Sequence, residues 1–152
     1  ALILPRRVGG VEIDSAWAER IYARADWIAR VDHLAGSDVL LASAAQKHAL
    51  RAKTGADAVD MESHLLAAAA KDAGLPLLVL RAIADHAAFD LPRAAIDGYA
   101  DGKVRPLRAA RALLAAPQET LALIRLARDS ARAMAALMRV VRLVDGEFLA
   151  PR

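Results

Sequence analysis

Two carboxylates stand where apolar runs end: Glu62 follows Ala58-Val59-Asp60-Met61, and Asp85 follows residues 77–84. In open parallel sheets, ligands bind at the carboxyl ends of strands. An acid placed there beside apolar residues is partly desolvated, which suits it to work as a general acid. Each acid also has a plainer role, Asp85 capping the loop that follows and Glu62 opening a helix whose dipole favours its charge. The four histidines, His33, His48, His64 and His86, share no metal-ligand spacing on one helix face, so metal catalysis is not expected. Without cysteine, thiolate nucleophiles, disulfides and sulfur-ligated zinc are excluded.

The elements that must position these acids follow from periodicity. Residues 1–5 read as a short buried strand with no turn or cap before it, which suggests a missing upstream part. Asp14 is a good N-cap for a helix over residues 15–30 that carries Trp17, Ile21, Ala25 and Ile28 on one face. Residues 39–42 predict a buried strand, and Ser43-Ala44-Ala45-Gln46 matches the capping box of a helix ending near Gly55. A second short strand is predicted over 56–61, a helix over 62–73 stopped by Gly74, and a continuous apolar strand over 77–84 broken only by Arg81. Strands that alternate with helices and run apolar without polar alternation predict an α/β domain with a mixed, mostly parallel sheet and helices on both faces. Residues 86–105 read as a long lid or binding loop. From Pro106 the chain is expected to be helical, with Pro117 separating a short piece from a long one over 118–144.

The chain of 152 residues fits one domain, 1–152. Every apolar run is interrupted before it could span a bilayer, and the arginines Arg6 and Arg7 follow the first apolar stretch, the reverse of a secretory signal. A cytoplasmic protein is expected. The net charge of +3 comes from arginines spread among carboxylates, with no aromatic residues interleaved, so no nucleic acid partner is predicted.

Taken together, Asp60-Met61-Glu62-Ser63 and Leu75-Pro76-Leu77-Leu78-Val79-Leu80-Arg81-Ala82-Ile83-Ala84-Asp85 resemble, in order and spacing, the C-terminal signature of the purine nucleoside phosphorylase and methylthioadenosine/adenosylhomocysteine nucleosidase superfamily. The resemblance implies cleavage of a purine nucleoside's N-glycosidic bond, by phosphate or by water. It implies that Met61 packs on the sugar, that Glu62 accepts from its hydroxyls, and that Asp85 protonates or hydrogen-bonds the purine N7. Leu40 and Leu41 would stack on the base, or else serve as plain core leucines. No cofactor is implied beyond phosphate as a co-substrate, and a homo-oligomer is expected. Many nucleosidases have Ser-Asp where this chain has Ala84-Asp85. That ending, the run from Gly55 to His64, Asp101-Gly102-Lys103-Val104-Arg105-Pro106-Leu107 and the basic tail look more like the hopanoid-associated phosphorylase branch, which implies adenine release from a lipid nucleoside, adenosylhopane. The resemblance also implies that this is the C-terminal two-thirds of the domain, with the nucleophile half of the site upstream. These residues alone are then expected to be inactive; the alternative to an enzyme is a catalytically incomplete nucleoside-binding or membrane-associating module.

In the long last helix, Arg125, Arg128, Arg132, Arg139 and Arg142 fall on one arc, while Leu126, Met134, Leu137, Val140, Val141 and Val144 face away. A surface helix packing its apolar side on the sheet is one reading. A basic face resting on anionic lipid, as peripheral membrane contact, is the other.

Overall fold

The computed structural model describes residues 1–100 and 103–143. Asp101 and Gly102 of the segment cited above, and the expected helix end near Val144, lie outside them. Strand β1 (Leu2–Val8) is central, with β3 (Ala29–Gly36) parallel to it and β4 (Ala58–Asp60) parallel to β3. On the other edge of β1, two short antiparallel strands divide its length, β2 (Val11–Glu12) at the carboxyl half and β5 (Arg81–Ala82) at the amino half. The sheet is thus mixed, and parallel along its long core, as the α/β reading requires.

Alternation along β1 sends side chains to two faces. Leu2 and Leu4 pack with Ile21, Tyr22 and Val140, from α1 (Ser15–Arg24) and α6 (Thr120–Leu143). Ile3 packs instead with Leu34, Val79 and Ala67 of α3 (Ser63–Asp72). Helix α1 starts as predicted, with the Asp14 carboxylate accepting from the Trp17 amide at 2.7 Å. Helix α2 (Ala44–Thr54) has the predicted capping box, Ser43 with Gln46, and ends at Gly55 in the left-handed region, φ 69°. Helix α3 seats closely on β3: a Cβ at Gly36 would fall 2.0 Å from the His64 ring, so a side chain is excluded there.

Four expectations are corrected. Helix α1 ends at Arg24, and the chain turns at Ala25 into β3, so the helix expected over residues 15–30 stops six residues early. Ala25 and Ile28 are buried as the periodicity predicted, but from a turn. The strand predicted over 39–42 does not form: β3 already occupies that place in the sheet, Ser37 bonds the Val39 backbone in a turn, and Val39 and Leu40 are exposed. The strand predicted over 77–84 pairs only at Arg81–Ala82, because Asp14 takes the Leu77 carbonyl and β2 holds the rest of that edge. The presumed loop 86–105 contains helix α4 (Arg93–Gly98) and a hairpin of β6 (Tyr99–Ala100) with β7 (Lys103–Val104). Helix α5 (Pro106–Ala115), a 3-10 turn at Pro117–Glu119 and α6 complete the described chain.

Helix α6 buries Ala133 and Val140 and half-buries Leu126 and Leu137, whereas Met134 and Val141 on the same side stay exposed. The five arginines face solvent; Arg139 lies over the Trp27 ring at 5.0 Å, and Arg132 pairs with Asp129 at 3.4 Å. No described helix is long and apolar enough to cross a membrane.

Candidate functional site

The residue that organises the first acidic segment is Asp60, at the end of β4. Its side chain is almost fully buried; it accepts from the Ser63 amide at 3.0 Å, from the Ser63 hydroxyl, and from Arg81 Nε at 2.8 Å. Asp60 therefore caps α3, while Glu62, at the N-cap position, makes no capping bond. Glu62 instead reaches Arg81 at 3.3 Å and remains two-thirds exposed. One guanidinium thus holds two carboxylates, a buried structural one and an open one.

The second acid is set by α2 and the loop after β5. Lys47, whose side chain is 10% exposed, pairs with Asp85 Oδ2 at 2.5 Å and donates to the Phe89 carbonyl at 2.7 Å. The same loop is fixed again where Asp90 accepts from the Ala44 amide at 2.6 Å and Leu91 N–H donates to the Ala42 carbonyl. His86 is exposed, 5.9 Å ring to ring from Phe89.

Leu40, Met61, Glu62 and Asp85, four of the five residues that sequence reasoning singled out, line one cavity of about 820 Å³, together with Lys47, Asp60 and Arg81. Leu41 is half-buried and is not part of that lining. The volume lies in the range that takes a drug-sized ligand, roughly 300–1,000 Å³. The acids do not share the carboxyl edge of a parallel sheet. Because β5 runs antiparallel to β1, Asp85 leaves the sheet beside Ala1, whose carbonyl accepts from Ile83, whereas Glu62 follows the carboxyl end of β4. Each acid has its own cation, and no histidine or carboxylate cluster among the described residues could hold a metal ion.

The sequence model of the phosphorylase superfamily matches residues 33–125, a stretch that contains both acids, both cations and most of the cavity lining. This chain belongs to the phosphorylase superfamily. Its chemistry is that of a nucleoside phosphorylase or nucleosidase, the cleavage of a nucleoside's glycosidic bond. Comparison with curated proteins returned no match. Sequence reasoning missed three charged residues that organise this cavity. Asp60 was legible as an Asp three residues before Ser63 at a helix start, Arg81 as the single charge in an apolar run, and Lys47 as a cation placed near a helix N-terminus against the dipole.

Proposed function

We propose that the cavity binds a purine nucleoside and that the protein splits its N-glycosidic bond. The observation that carries this reading is that Met61 and Glu62, in the turn after β4, and Asp85, in the loop after β5, line one nucleoside-sized cavity. Met61 offers an apolar surface to the sugar, and the open carboxylate of Glu62 accepts from sugar hydroxyls. These charge-assisted bonds strengthen as the sugar gains positive charge. Asp85 addresses the imidazole side of the base, where N7 must take up a proton as the bond to N9 breaks and its electron pair enters the ring. Leu40, exposed on the rim, covers the base.

The finer substrate reading is an adenosyl lipid, with adenosylhopane as the expected case, and its support is the sequence resemblance alone. The nucleophile is phosphate or water; product analysis with and without phosphate distinguishes a sugar phosphate from free sugar. The expectation of a homo-oligomer belongs to the same proposal. In active protein, Asp85→Asn lowers turnover by about 10²-fold or more and weakens binding less, whereas Glu62→Gln damages both. Near-normal turnover by Asp85→Asn contradicts the assignment. The 152 residues alone are expected to turn over little, and activity equal to that of a complete superfamily member would overturn that part.

The solvent-facing arginines of α6 favour a peripheral role at anionic lipid besides. Salt-sensitive binding to anionic vesicles, lost when Arg125, Arg132 and Arg139 become glutamine, is the expected result; binding unchanged by the substitutions contradicts it.

A further inference from the structure

Charge is unevenly placed along this chain. Between Arg105 and Leu143 it carries eight arginines and only two acids, Glu119 and Asp129, whereas residues 1–100 hold eleven basic side chains against thirteen acidic ones. Such an asymmetry marks the segment that meets an anionic partner. Helix α6 holds most of those arginines, and it also exposes apolar side chains that the core does not use. Ile124, Ala127, Ala131, Met134, Met138 and Val141 recur at intervals of three and four and are all exposed. At about 100° per residue they form a stripe turned by about 120° from the packed line of Leu126, Ala133, Leu137 and Val140, and the arginine arc lies a similar turn away on the other side. The stripe runs for about 26 Å along the helix. The outward surface of α6 is therefore an apolar band beside a basic one.

Beside the arginine arc stands Trp27, in the turn between α1 and β3. Its ring is exposed, whereas its neighbours Ala25 and Ile28 are buried. Arg139 lies over that ring at 5.0 Å, within reach of a cation–π contact. A guanidinium over an aromatic ring still presents its N–H edge to a phosphate. An indole suits the level of a bilayer where apolar matter meets water. We infer that Trp27 and the exposed stripe of α6 insert into the boundary between headgroups and acyl chains of an anionic membrane, with the arginines on the lipid phosphates. The inference rests on the peripheral lipid reading above and goes beyond it: charge brings the chain to the surface, and apolar insertion holds it there. A helix with one apolar band and one basic band lies flat in that boundary. A purely ionic partner would satisfy the arginines and leave the stripe and the indole in water.

The test is tryptophan fluorescence of the 152-residue chain titrated with vesicles of equal parts phosphatidylcholine and phosphatidylglycerol, with and without bromine on the acyl chains. Trp27 emission should shift to the blue and be quenched by the brominated chains. Trp17, packed half-buried against the core, should not respond, so Trp27→Phe should abolish the quenching. Met134→Ser with Met138→Ser, at exposed positions, should weaken partitioning by about tenfold and leave its salt sensitivity in place. Arginine-dependent binding with Trp27 unquenched, or with the methionine variant partitioning normally, means that charge alone holds the chain at the lipid; it overturns the inference and leaves the peripheral reading intact. Should the methionine variant fail to fold, quenching in the unsubstituted chain still decides. Absence of any binding to these vesicles overturns the peripheral reading and the inference together. A blue shift of Trp27 with polyglutamate but not with vesicles assigns the surface to an acidic polypeptide and overturns the inference.

Discussion

The face of β1 covered by α1 and α6 and the cavity on its other side are built from opposite materials. On the first, Leu2, Leu4, Ile21, Ile28 and Val140 are all buried, and the polar atom among them, the Tyr22 hydroxyl, donates to the Leu4 carbonyl at 3.0 Å. Around the cavity β4 and β5 are only three and two residues long, and the chain in and just after them carries Asp60, Glu62, Arg81 and Asp85, held in place by Lys47 and by one another. Apolar burial is non-directional and fixes a shape, whereas paired charges fix the direction of individual side chains at a cost in desolvation. The scaffold therefore carries stability and the cavity carries orientation. Changes to the two regions should separate accordingly.

The largest effect is expected in the scaffold. Ile21→Ala removes a fully buried side chain and should cost about 2–5 kcal/mol in denaturant unfolding, leaving the affinity for adenosine unchanged in whatever fraction stays folded. A smaller cost that also disturbs binding would blur the division. Next comes Asp60→Asn, at the boundary between the two regions. It weakens the α3 cap and takes the buried partner from Arg81, so about 1–3 kcal/mol of stability should go. Ligand affinity should fall with it, because Arg81 would then be held by Glu62 alone. Loss of stability with full affinity would show that Asp60 belongs to the scaffold only.

How much of this division was legible in the sequence differs by region. Periodicity found what is buried around α1, including Ala25 and Ile28, because burial depends on spacing whether or not the backbone stays helical. It missed β3, since Arg30, Asp32 and His33 disguise that strand: Arg30 lies over the Tyr22 ring at 3.7 Å and pairs with Glu19, and Asp32 pairs with Arg7. Side chains that satisfy each other at a strand's margin leave no apolar pattern to read. The cavity residues Met61, Glu62 and Asp85 were legible from their motif. The pairing of Lys47 with Asp85 was not, because the two are 38 residues apart and only the fold brings them together. The short, antiparallel pairing of β5 was hidden for a similar reason: β2, a two-residue strand with no signal of its own, decides how much edge remains.

The smallest effect sharpens the scaffold side. Burial pushes the Tyr22 phenol above its ordinary value, with the nearby Arg30 charge acting the other way. For a raised group, the stability contribution is complete below the unfolded value of about 10 and is lost as pH rises through the folded value. Thermal unfolding should thus show an alkaline loss that Tyr22→Phe abolishes; an identical alkaline profile in the variant would place the loss elsewhere.

The chain contains three methionines, and they divide between the regions: Met61 lines the cavity, whereas Met134 and Met138 lie exposed on α6. Selective labelling of the methionine methyl groups therefore gives one reporter and two internal controls in a single spectrum. Titration with adenosine should shift the Met61 methyl resonance in a saturable way and leave Met134 and Met138 in place. A saturable shift of the α6 methyls with Met61 unmoved would contradict a nucleoside site built on Met61, Glu62 and Asp85.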